Sequence, residues 1–106
     1  MTLVLPATSD APWYDFEATL EGSTYRFEVR WNERSGAWFL SLLDAAGELI
    51  TAGRRVVLGA QLLGRSADAR LPPGTLLAID TSGTDEEAGR EDLGERVKLV
   101  YVEAEA

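Results

Sequence analysis

The 106-residue chain has no cysteine and no histidine. Without cysteine there are no disulfides, no thiolate nucleophile and no thiolate metal ligand. Without histidine the chain lacks the side chain that ordinarily moves protons near neutral pH, and the commonest metal ligand. Lysine occurs once, as Lys98, in a stretch of alternating character near the C-terminus. A Schiff-base role needs a desolvated lysine, whereas a lysine on a strand ordinarily faces solvent. Apolar runs are short, far below the length of about 20 residues that spans a bilayer, and Met1-Thr2-Leu3-Val4-Leu5-Pro6 lacks the basic start of a signal peptide. No membrane partner is expected, and the expected place of synthesis is a cytoplasm. Positive charge is scarce as well. Ten basic residues against 18 acidic ones give a net charge of -8, which repels a phosphate backbone and argues against a nucleic-acid partner.

What is present is a β pattern. Hydrophobic content is 45%, enough for one folded domain at this length. In residues 14–20, Tyr14, Phe16, Ala18 and Leu20 alternate with Asp15, Glu17 and Thr19; in residues 23–31, Tyr25, Phe27, Val29 and Trp31 alternate with Thr24, Arg26, Glu28 and Arg30. Period two with one apolar face predicts two half-buried strands. Glu21-Gly22 between them predicts a hairpin turn, with Asp15 and Glu17 facing Arg26 and Arg30 across it. A polar loop, Asn32-Glu33-Arg34-Ser35-Gly36, leads to a strand over 37–43 that is apolar at nearly every position. After the Asp44-Ala45-Ala46-Gly47 turn, a strand over 48–58 is interrupted at Gly53-Arg54-Arg55 by an expected bulge, which completes a four-stranded meander. Residues 60–63 read as one helical turn or a short strand. Leu71-Pro72-Pro73-Gly74 predicts a tight turn, followed by strands over 75–80 and 96–103. The expected fold is mostly β: a single-domain antiparallel β-sandwich or small β-barrel with a long acidic loop, residues 81–95. Residues 1–12, with Pro6 and Pro12, form an extended arm, 13–103 the β domain and 104–106 a flexible tail.

The residues that carry chemistry do not assemble into catalysis on paper. No histidine is available to activate a serine. Glu28 and Asp80 are the acids placed in strong strands, and a carboxylate pair is the minimum for glycoside hydrolysis. Glu28, however, sits beside Arg26 and Arg30 as an ordinary surface ion pair, and Asp80 precedes Thr81-Ser82-Gly83 as a turn cap. Asp80, Asp85, Glu86 and Glu87 offer oxygen ligands for calcium without the spacing of a helix–loop–helix site, so a solvated acidic loop is the plainer reading. Trp31 and Trp38 flank one loop. Exposed, they would stack on sugars and make a carbohydrate-binding module; buried, they are a core pair, which the continuing apolar phase favours.

Charge is segregated along the chain. Arg54, Arg55, Arg65 and Arg70 stand against Asp68 alone in residues 54–70, whereas residues 85–106 hold eight acids against Arg90, Arg96 and Lys98. Ordinary solvation or head-to-tail contact between subunits both accommodate this. The candidate interaction residues are Leu3 and Leu5 of the arm, Arg54, Arg55, Arg65 and Arg70, and Asp85, Glu86 and Glu87.

Residues 25–38, from Tyr25-Arg26-Phe27 through Trp31-Asn32 and Gly36 to Trp38, resemble the strand–loop–strand of the small baseplate plug proteins of contractile-tailed bacteriophages. Asp44-Ala45-Ala46-Gly47, Leu71-Pro72-Pro73-Gly74 with Leu76-Leu77 and Asp80-Thr81-Ser82-Gly83, and Asp92-Leu93-Gly94 before the last strand resemble the same family, in the same order. The resemblance runs from about residue 14 to residue 103 and leaves the N-terminal arm outside. It implies a virion structural protein of the tail baseplate, near the tube end and the central spike, assembled in the host cytoplasm. It implies a ring built with other baseplate and tail proteins (hub, tail tube and spike), and it implies neither catalysis nor a cofactor. Trp31, Asn32, Gly36, Trp38, Pro72, Pro73 and Gly74 would then serve turns and packing.

Overall fold

A computed structural model describes residues 2–59, 61–62, 72, 74–84 and 86–103. Among them the chain forms seven strands in two antiparallel sheets: β1 (Thr2–Val4), β2 (Trp13–Leu20), β3 (Ser23–Asn32), β4 (Ala37–Asp44), β5 (Leu49–Arg55), β6 (Thr75–Asp80) and β7 (Val97–Val102). One sheet has the order β2-β3-β4-β5, the expected meander; the other has the order β1-β7-β6. The Glu21-Gly22 turn has both residues at positive φ, 51° and 86°. This is the backbone hand that suits a two-residue hairpin between twisted strands.

The period-two alternation decides which side chains enter the core. Tyr25, Phe27 and Val29 of β3, Trp38, Leu40 and Leu42 of β4, Leu76 and Ala78 of β6 and Val97, Leu99 and Tyr101 of β7 are all buried and form one cluster. Phe16 stacks on Phe27 with ring centroids 5.1 Å apart, and Trp31 meets Trp38 edge-on at 5.4 Å. β5 carries the expected irregularity, as register shifts against Leu40, Leu42 and Leu43, and it ends at Arg55 rather than continuing to 58. The chain then crosses between the sheets. Val56 N donates to Trp38 O on one sheet, and Gly59 N and Leu62 N donate to Ala78 O and Leu76 O on the other. Gln61 copies a strand with its side chain, accepting from Leu76 N and donating to Gly74 O.

The N-terminal arm is built into the fold. β1 pairs with β7, with Leu3 opposite Tyr101. Leu5 N donates to Leu99 O and the Leu5 side chain is buried in the core. Beyond it, Thr8 N donates to the Tyr14 hydroxyl, and Arg90 donates to Ser9 O. β1 is an edge strand, paired on one side only, and Pro6 and Pro12 lie outside it, so its ladder to β7 is intact.

Candidate assembly surface

Residues 81–96 join β6 to β7, and here the structure differs from an exposed loop. Ala88 and Leu93 are buried in the core, and the segment is held by one guanidinium. Arg96 donates to Glu86 O at 2.8 Å, to Glu87 O at 2.9 Å and to Asp92 Oδ2 at 3.1 Å, and it lies 3.3 Å from Asp80 Oδ1. Burial works against its charge, but the hydrogen bonds to Asp80 and Asp92 outweigh it and raise its pKa. Asp80 caps the turn as expected: it accepts from Ser82 N at 3.0 Å, from Ser82 Oγ at 2.8 Å and from Thr84 Oγ1 at 3.0 Å. Four oxygens that a cation would use therefore already face a guanidinium. Among the described residues no cluster of three or more acids has metal-site geometry. Glu87 Oε1 accepts from Leu58 N at 2.8 Å and ties the segment to the sheet crossover; Glu86 is exposed. Asp85, Arg65, Arg70 and Pro73 fall outside the described residues.

The tryptophans separate. Trp38 is 1% exposed, its indole donates to Gly89 O, and Arg90 stacks over its ring. It offers no face to a sugar, so the stacking site proposed for Trp31 and Trp38 is not there. Trp31 is half-buried and donates to Glu33 Oε1. The open aromatic is Trp13, 64% exposed, which sequence reasoning missed. The signal was available: Trp13 shares the phase of Asp15 and Glu17, the polar face of β2. Asn32 Oδ1 accepts from Ser35 N, and Gly36 N donates to Asn32 O, so both shape the β3–β4 turn. Pro72 and Gly74 are buried. Lys98 donates to Gly94 O at 2.6 Å. Arg54 donates to Thr51 Oγ1, and Arg55 is exposed.

Two outward faces remain. On the three-stranded sheet, register aligns Val4, Val100 and Leu77 across β1, β7 and β6, with Ile79 and Val102 in the flanking rows. Val4 is 65% exposed, Ile79 40% and Val102 37%, whereas Val100 is buried between its neighbours. This is an apolar face where a free-standing sheet is ordinarily polar. On the four-stranded sheet, register aligns Trp13, Arg30, Phe39 and Arg55 across all four strands. The expected Asp15 and Glu17 partners fall to Arg26 alone, at 3.6 and 3.5 Å, while Arg30 lies over the Trp13 ring at 5.5 Å. The β5 irregularity opens a hollow of about 290 Å³ beside this row, lined by Glu28, Arg30, Asn32, Phe39, Ser41 and Gly53. The carboxylate opposite Glu28 in register is Asp15, on the same open face.

A two-sheet scaffold that buries no polar or charged residue among those described, and whose outer faces carry apolar and arginine–aromatic rows, has the form of a structural subunit made for contact. Comparison with protein families gives the class a name. Residues 2–104 match the family described as cyanophage baseplate Pam3 plug gp18, and the chain belongs to that family. The match takes in the N-terminal arm, which the motif resemblance had left out. It identifies a structural phage baseplate family, and so a place in the virion tail. No curated protein matches the sequence, and no helix among the described residues is long and apolar enough to cross a membrane.

Proposed function

We propose that this chain is a non-catalytic building block at the tube end of a contractile tail, next to the central spike, where several copies form a ring with other baseplate proteins. The observation that carries the reading is the family match over residues 2–104. The outward-facing Val4, Leu77, Ile79 and Val102 of the three-stranded sheet support it, because a subunit that spends its working life inside a particle keeps such a face for its neighbours. The hub, the tube and the spike are the partners this position brings within reach.

Cryo-electron microscopy of tails carrying this chain tests the position. The expected result is several copies arranged about the tail axis below the tube. A single off-axis copy, or tails that assemble completely without the chain, overturns the reading.

A further inference from the structure

The arginines of the Trp13–Arg30–Phe39–Arg55 row pair with no acid among the described residues. Register places an aromatic, a cation, an aromatic and a cation side by side across the whole width of the four-stranded sheet. Arg34 lies just beyond the row in the β3–β4 loop and is exposed, as are Arg30 and Arg55. None of the three has an ion-pair partner among the described residues. The acids nearest the row are Asp15 and Glu28 of the adjoining row, and Arg26 holds Asp15 together with Glu17. That leaves Glu28 against three arginines on a chain of net charge -8.

The complementary surface lies elsewhere on the same chain. Glu86, Glu91 and Glu95 of the 81–96 connection are exposed, and their carboxylates have no cationic partner among the described residues. Arg96 and Arg90, the cations of that segment, are occupied with backbone carbonyls, Asp92 and the Trp38 ring. The connection packs Ala88 and Leu93 into the core and meets the buried Trp38, which donates to Gly89 O. The arginine row lies on the outer face of the four-stranded sheet, away from the core. The two patches form no ion pair with each other among the described residues, and a two-fold dimer that joins each patch to its own copy leaves both charges unmatched.

We propose that the occupant of the arginine–aromatic row is a second copy of this chain, presenting the acidic connection that carries Glu86, Glu91 and Glu95. The contact is head-to-tail, so each copy offers one patch forward and one behind, and the repeat closes into a ring. Arg30 and Arg55 meet carboxylates, while Trp13 and Phe39 shield the pairs from water. The inference rests on the ring reading above and adds which surfaces close it.

The absence of native cysteine makes the test direct. Tails are assembled from a mixture of Arg55→Cys and Glu91→Cys chains and treated with a short bis-maleimide. The expected product is the mixed Arg55→Cys/Glu91→Cys dimer, with neither homodimer. Homodimers alone, or several copies per tail with no mixed product, overturn the pairing and leave the ring reading standing. One copy per tail overturns both. In a second arm, Arg30→Glu with Arg55→Glu lowers the number of copies incorporated by about tenfold or more, and adding Glu86→Arg and Glu91→Arg to the same chain restores it. If the four-fold variant folds, as its circular dichroism will show, yet incorporates no better than the double variant, the charge pairing is wrong.

Discussion

Tyr101 illustrates how one residue's chemistry is set by where the fold puts it. Its ring is fully buried, and its hydroxyl accepts from Gly74 N at 2.6 Å and donates to the Glu21 carboxylate. Burial, followed by the bond to Glu21, pushes the phenol well above its usual range. Tyr14 is also raised, chiefly by burial. A phenol whose folded pKa lies above its unfolded value stabilises the protein fully below the unfolded pKa, about 10, and that contribution is lost as pH rises beyond it. Tyr101→Phe is expected to lower stability by about 1–3 kcal/mol at pH 7, because Gly74 N and Glu21 lose their partner. It is also expected to flatten the loss of stability above pH 10; urea titrations across pH 7–11 check both. Gly74 is glycine for a related reason. It does not sit at positive φ; a Cβ there would come 2.2 Å from Val102 O and 2.6 Å from the Tyr101 ring. Gly74→Ala is expected to cost about 2 kcal/mol or more, since the clash is with backbone that cannot turn aside; the thermal midpoint reports it.

At the scale of elements, two segments that look loose in the sequence are parts of the framework. β1 adds a strand to β7 and places Leu5 in the core. Leu5→Ala is expected to destabilise the isolated protein by about 2–4 kcal/mol, measured by denaturant unfolding. An arm that served only a neighbouring subunit would leave that value unchanged. The 81–96 connection depends on Arg96, whose planar fork reaches two carbonyls and two carboxylates at once. Lysine carries the charge without the fork. Arg96→Lys is therefore expected to speed hydrogen exchange of the amides in residues 86–95 while the β3 and β4 amides keep their protection. Uniform loss of protection in both regions would mean that the arginine supports the whole domain rather than the connection.

On the scale of the whole molecule, a sandwich of this size buries one face of each sheet and leaves the other to solvent or to neighbours. The outer face of β1-β7-β6 keeps Val4 and Ile79 in the open. Val4→Lys with Ile79→Lys is expected to change the stability of the free protein by no more than about 0.5 kcal/mol, because both side chains already face water. The same variant is expected to be excluded from assembled tails, scored by immunoblot of purified particles. Normal incorporation would show that this face is not a contact. The two proposed contact surfaces differ in kind. An apolar face is insensitive to salt, whereas the arginine row weakens as ionic strength shortens the reach of its charges to about 8 Å or less.

The sequence by itself determined the strands of the meander and of β6 and β7, the inward faces of β2 and β3, and the turns that join the meander. These are local facts: period two, a turn dipeptide, an Asn-to-Gly loop. It also carried the motifs that resemble the baseplate plug family, because their order and spacing survive along the chain. Only the tertiary structure decided what depends on partners far apart in the chain. Thr2–Val4 became a strand because β7 had a free edge beside it. The acidic connection became ordered because Arg96 stands where three of its oxygens converge with Asp80 of β6. Trp38 was closed to ligands and Trp13 left open because strand phase and packing, not residue type, set exposure. The row from Trp13 to Arg55 exists because four strands fall into register, and register between distant segments is a property of the folded sheet.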